Sequence, residues 1–142
     1  MLRRKFKIEK ETNLKQVIKK KILQNSKNIK KLEKIIHPLV RMEMRKFFIK
    51  YKKQKKLFCE VPLLIESKLM NYFDVIIFIK ANKKIRAKRF SVAGGEKRLF
   101  SILNNKQLSD KKKSKFSDHV VVNEKNIKIL KKNLMYIINL YE

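Results

Sequence analysis

An α/β fold built around a parallel sheet is what this sequence predicts, and three features predict it. Short apolar runs at 57–61, 74–79 and 119–122 lack polar–apolar alternation, as strands buried on both faces do. Longer segments around them repeat apolar residues at helical spacing. Along the second half strand and helix alternate, which implies βαβ crossovers. The chain has 142 residues, 44% of them hydrophobic and 36% charged. That suits one domain with a sizeable core and argues against disorder throughout.

Taken in order, residues 1–13 are basic with no period. Leu14, Val17, Ile18 and Ile22 then share one side of a helix ending at Leu23. Asn25 or Ser26 can cap the next helix, which carries Ile29, Leu32, Ile36 and Val40. Pro38 predicts an interruption at His37, because the residue before a proline is pushed out of helical geometry. A third helix follows through Val40, Met44, Phe47, Phe48 and Tyr51. Lysines 52, 53, 55 and 56 precede the first strand, where Leu57, Phe58, Cys59 and Val61 crowd together. Pro62 removes a backbone donor and ends it. Leu63, Leu64 and Ile65 then dip into the core before Glu66 surfaces, opening a turn helix over 63–71. Val75, Ile76, Ile77, Phe78 and Ile79 make a second buried strand. A basic helix covers 83–90, and Gly94-Gly95 breaks the pattern. Leu99, Ile102 and Leu103 mark a helix over 96–106, followed by a charged segment at 109–117. The third strand spans 119–122. A last helix puts Ile127, Leu130, Leu134, Ile137, Ile138 and Tyr141 on one face. There is no internal repeat and no low-complexity linker.

The formal net charge is +27, which by itself suggests a nucleic-acid binder. Only 7 of the 39 basic residues are arginine, whereas a binding face concentrates charge and favours bidentate arginine. Together with many Asn and Ile and no Trp, the balance reads as A/T-rich coding spread over a solvated basic surface, attractive to polyanions in general. No apolar run reaches the length of a membrane span and the Lys-rich start has no signal-peptide core. The single cysteine, Cys59, reads as a small buried hydrophobe in a reducing, cytoplasmic compartment. Ligands of open α/β sheets bind beyond the carboxyl ends of the strands. Glu60 and Glu66 would flank such a crevice; Glu66 is equally explained as a carboxylate solvating a helix's first turns.

Four landmarks then fall in a known order. Leu32-Glu33-Lys34-Ile35-Ile36-His37-Pro38-Leu39-Val40 looks like an "LE-x-I-x-HP-x-V" segment, and Val61-Pro62-Leu63-Leu64-Ile65-Glu66 like "VPLL-x-E". Arg89 follows the second strand. Gln107, Lys113, Ser117-Asp118 and Asn123 keep the spacing of a "Q…K…AD-x-V-x-x-N" tail. Over about residues 8–140 the chain resembles dephospho-CoA kinase, which phosphorylates the ribose 3′-hydroxyl of dephospho-CoA with ATP. The resemblance implies a P-loop-kinase-like three-layer α/β fold with a parallel sheet. Within a single domain over 1–142 it implies acceptor-binding helices at 8–54, core strands and turn helix at 55–82, a lid-like helical region at 83–117, and the last strand and C-terminal helix at 118–142.

The resemblance also implies roles. His37, Arg41 and Glu66 would belong to the acceptor pocket, with His37 equally explained as the end of a helix before proline. Arg89, supported by Lys88, would act as a lid over the transferring phosphoryl group. Lys113 and Asn123 would join Arg89 on the nucleotide, and Glu60 would stand in the outer coordination sphere of Mg²⁺. Each of these has a plain alternative: solvated cations, a turn asparagine, a strand-end carboxylate paired with lysine. ATP and Mg²⁺ are the expected cofactors; dephospho-CoA and ATP are the expected small-molecule partners, with no membrane and no specific nucleic acid.

The sequence departs from the family at its start. The two glycines, 94 and 95, are adjacent, so no G-x-x-x-x-G-K-[ST] phosphate loop can be written. Residues 1–13 offer only Glu9 and Glu11 as acids. Ala93 stands where a second lid arginine is expected, and Glu60 where Asp is common. The expectation is therefore an N-terminally truncated member, inactive without the missing loop; a degraded gene, a split gene whose complementing N-terminal fragment supplies the loop, and a mis-called start all account for it. The alternatives are a basic nucleic-acid-binding protein, and a non-catalytic remnant serving as a partner-binding module.

Overall fold

A computed structural model describes residues 13–142; Glu9, Glu11 and nearly all of the basic, aperiodic stretch lie outside them. The chain forms two compact units, Met1–Pro62 and Leu63–Glu142.

In the first unit, α1 (Leu14–Gln24) opens on Asn13, whose side-chain oxygen accepts from the amides of Lys15 and Gln16. That satisfies donors a helix start leaves orphaned. Asn25 ends α1, and its own side chain accepts from the Lys27 amide at 2.9 Å. The next helix, α2 (Asn28–Lys50), starts from Lys27 without a side-chain cap. Its Asn28 amide side chain donates back to the Lys21 carbonyl at 2.9 Å and ties the two helices together.

The expected break at Pro38 does not occur, and the second and third expected helices are one 23-residue helix. An interior proline costs about 3 kcal/mol through the lost i→i−4 bond and ring clash. Ile29 and Ile35 before it and Met44 after it are all buried. At roughly 1.5–3 kcal/mol for each buried apolar side chain, their burial outweighs one missing bond. Near the C-terminal end Phe47 stacks beside Phe48 and Tyr51, with ring centroids 5.9 and 4.9 Å apart.

Residues 57–61, expected as the first buried strand, form no strand; the segment is irregular and Phe58 is exposed. A strand exists by pairing, and among the described residues the only ladder is the one between 77–80 and 119–122.

Consecutive turns over 62–68 lead into the second unit in place of the expected turn helix. The amides of Ser67, Lys68 and Leu69 donate to the carbonyls of Leu63, Ile65 and Leu64. Leu63 (φ 58°) and Lys68 (φ 56°) are both left-handed, which no α-helix tolerates in L-residues. A short 3₁₀ turn, Met70–Tyr72, leads to β1 (Ile77–Lys80). This strand is shorter than the expected 74–79 and ends one residue later.

β2 (His119–Val122) coincides with its expected span and pairs parallel to β1, Ile77 opposite His119 through Lys80 opposite Val122. On one face Ile77 and Val121 pack with Leu130, Leu134 and Ile137 of α6 (Ile127–Asn139). Phe78, one residue on, points the other way. Its ring lies under the Lys113 ammonium of α5 (Asp110–Lys115), 5.8 Å from centroid to Nζ. Helices thus stand on both sides of the sheet, in three layers. The expectation of strands buried on both faces fails for β2: Val121 is buried, while Val120 and Val122 are exposed.

Between the strands, α3 (Lys83–Val92) starts from Asn82, whose side chain accepts from the Lys84 amide. It ends at Gly94, whose φ of 79° supplies the left-handed turn of a helix stop. Rings of Phe90 and Phe100 meet at 5.7 Å and join α3 to α4 (Lys97–Asn104). Ser109 caps α5 within the stretch read only as charged. On α6 the expected apolar face narrows: Leu130 and Ile137 are buried, whereas Ile127 and Tyr141 are exposed.

Candidate functional site

Within the second unit, two clusters gather residues far apart in sequence. The first grows from the strained turn at 63–68. Left-handed geometry at Leu63 and Lys68 folds the chain back so that Ser67 and Leu69 are buried. Glu66 is carried inward with them. Its side chain is only 15% exposed and does not surface as expected. Glu66 Oε1 accepts from the Leu108 amide at 2.9 Å and faces Lys113 Nζ at 3.1 Å. Lys113, itself 12% exposed, donates to Gln107 Oε1 at 2.9 Å. The acidic residue of the VPLL-x-E segment and the Gln and Lys of the last landmark therefore meet in one partly buried network. Charge-assisted bonds of this kind are stronger than neutral ones and hold their geometry.

The second cluster lies at the carboxyl ends of the strands. Arg89 Nη1 donates to the Asn123 carbonyl at 2.9 Å, and the Asn123 amide donates to the Lys80 carbonyl at 2.7 Å. Glu124 Oε1 accepts from the Asn82 amide at 2.8 Å. Arg86, from the same helix as Arg89, donates to the Ala81 carbonyl and to Asn104 Oδ1, at 3.0 and 2.9 Å. Arg89 and Asn123, both expected on a nucleotide, are thus neighbours, although the contact uses the Asn123 backbone. Lys88 is exposed on α3. At the opposite ends of the strands Asp118 makes a reciprocal clasp. Its carboxylate takes the Ile76 amide at 2.7 Å and its own amide donates to the Ile76 carbonyl at 2.9 Å.

Sequence reasoning missed Glu124, Asn82 and Arg86. Asn82 had a legible signal, an asparagine just before a helix. Arg86 and Glu124 had none, since each acts through a partner that only the fold brings near.

The remaining expected site residues lie in the first unit. His37 is half-buried within α2 and Arg41 is exposed one turn later. Glu60 is exposed in the irregular segment, not held at the end of a buried strand. Cys59 is half-buried, and burial pushes its thiol pKa up, away from the thiolate a nucleophile needs. Among the described residues no three His, Cys, Asp or Glu side chains gather to hold a metal ion, and no helix is long and apolar enough to cross a membrane.

The protein-family model described as dephospho-CoA kinase matches residues 3–128. A Wolbachia pipientis protein of that name is 33% identical over 107 residues, 74% of this chain and 55% of its own length. One from Protochlamydia amoebophila is 31% identical over 123 residues, 83% of this chain and 61% of its own. The chain thus spans a little over half the length of these relatives. Among solved structures, a protein from Thermus thermophilus superposes with a TM-score of 0.62, at 21% identity, over 88% of this chain and 65% of its own. That likeness establishes the fold as α/β and P-loop-kinase-like.

Proposed function

Since the chain belongs to the dephospho-CoA kinase family, we propose that it takes part in ATP-dependent phosphorylation of the ribose 3′-hydroxyl of dephospho-CoA, the last step of coenzyme A biosynthesis. The observation that carries this reading is the network of Glu66, Gln107 and Lys113. It joins two separate family signatures in one arrangement, which a random basic protein has no reason to do.

On this reading the carboxyl ends of β1 and β2 face the nucleotide. Arg89 and Asn123 stand there, and Arg89 has further guanidinium donors to offer a phosphate. Lys88 supports it as a second lid cation. From the first unit, His37 and Arg41 serve the acceptor. The described residues do not make up a Mg²⁺ centre by themselves; the ion would arrive with ATP. The Mg²⁺ of a nucleotide takes most of its ligands from phosphates and water.

No G-x-x-x-x-G-K-[ST] occurs in these 142 residues. Backbone amides and the lysine of such a loop cradle the phosphates, so these residues alone do not transfer a phosphoryl group. The test is CoA formation from dephospho-CoA and ATP. The chain by itself should give none. The chain fused to the phosphate-loop segment of a family member should give turnover. A fused protein that folds cooperatively and still forms no CoA defeats the proposal.

A further inference from the structure

Lys113 was expected on the nucleotide and Glu66 on the acceptor, but both are already engaged. An ammonium group has three N–H donors and no acceptor. One of Lys113's goes to Gln107 Oε1 at 2.9 Å and one toward Glu66 Oε1 at 3.1 Å, while the Phe78 ring lies beneath the charge. Little is left to offer a phosphate. Glu66 is likewise occupied, since the same oxygen also receives the Leu108 amide at 2.9 Å.

The turn that delivers Glu66 is strained on both sides of it. Left-handed conformations at two non-glycine residues, Leu63 and Lys68, persist only where the surroundings over-determine them. Here three backbone bonds and the burial of Ser67 and Leu69 do so. The strained turn aims one carboxylate at one amide and one ammonium, 42 and 47 residues further along the chain.

We propose that Glu66 is a positioning residue, which with Lys113 latches the loop before α5, and α5 itself, onto the 63–69 turn. It acts on the site by fixing where Gln107, Leu108 and Lys113 stand, not by touching substrate. The proposal deepens the kinase reading in naming which residues of the site bind nothing, yet the latch can be tested without any nucleotide.

The experiment uses the full chain. Amide exchange at Leu108 and acetylation of Lys113 by an amine-reactive ester are followed by peptide mass spectrometry, with exposed Lys111 and Lys112 as controls on the same helix. In the wild type, Lys113 should react at least tenfold more slowly than these controls. Glu66→Ala should speed both Leu108 exchange and Lys113 acetylation about tenfold. Glu66→Gln keeps an oxygen for the amide but no charge for the ammonium. It should hold Leu108 exchange within about threefold of wild type while releasing Lys113. That split is a signature a merely space-filling role would not give, and it survives if the alanine variant fails to fold. Wild-type Lys113 reacting as fast as Lys111 overturns the latch, as does a glutamine variant that releases both groups or neither. None of these outcomes bears on whether CoA is formed by the fused protein, so the two readings fail separately.

Discussion

Arg89 shows how much a single residue's motif can and cannot tell. Its place after the second strand was legible in the sequence, and so was that of Asn123. That guanidinium and backbone carbonyl would meet was not, because a carbonyl carries no residue identity. Arg89→Ala should lower stability by about 1 kcal/mol, the usual worth of such a bond. Asn123→Ala should leave that bond intact, since the acceptor is main chain. Urea unfolding of both variants checks this, and equal losses would contradict the geometry. Cys59 gives a second residue-scale expectation. Burial raises its pKa in the folded chain, so the native state holds the proton more tightly than the unfolded state does. The stability this contributes is fully present below the unfolded thiol pKa of about 8.5. It is lost as pH rises through the higher folded value. Alkylation by iodoacetamide should accordingly be slow at neutral pH, with a midpoint above that of free cysteine; a midpoint at or below it would contradict the burial.

At the scale of elements, legibility followed how local the cause was. β2 coincided with its expected span because three consecutive valines leave few alternatives. α1 and α4 were read nearly whole from their apolar period and α3 from its basic helical stretch, while the asparagine caps of α1 and α3 emerged only with the structure. Residues 57–61 misled, because composition can mark a segment as apolar and extended but cannot supply a neighbour to pair with. The turn at 63–68 was hidden because two ordinary residues, Leu63 and Lys68, adopt a geometry usually left to glycine. Pro38 misled in the other direction: the local penalty was real, and burial along both halves of α2 overrode it. Pro38→Ala should therefore stabilise the protein, by about 1–3 kcal/mol, as the Lys34 carbonyl regains a donor. Thermal unfolding measures it. A variant no more stable than wild type would mean that the proline costs the helix nothing.

For the molecule as a whole, the +27 charge dominates encounters with polyanions without defining a partner. Binding to duplex DNA should be indifferent to sequence and fall steeply as salt rises, as counterion release requires. Filter binding at two salt concentrations with unrelated duplexes tests it. A preference above about a hundredfold for one sequence at physiological salt would favour a nucleic-acid function over the kinase reading. The α/β class with a parallel pair of strands could be read from alternation alone. The candidate site was legible as a set of names, and what Arg89 and Glu66 do depended on partners 34 and 42 positions away.

That separation also sets a clock. The Ile76–Asp118, Asn82–Glu124 and Glu66–Leu108 bonds each join residues 42 apart. Closing a loop of that length costs about 3 kcal/mol of chain entropy before any contact rewards it. Helices form in about a microsecond; α3, α4 and α5, too short to persist alone, can form and dissolve many times before the strands on either side find each other. Docking of β2 on β1 then becomes the barrier to refolding, and Asp118, which fastens the first rung, belongs to the transition state. Asp118→Ala should slow refolding by nearly the whole of its equilibrium loss and leave unfolding almost unchanged. Stopped-flow chevrons that showed the reverse would put strand pairing on the downhill side of the barrier.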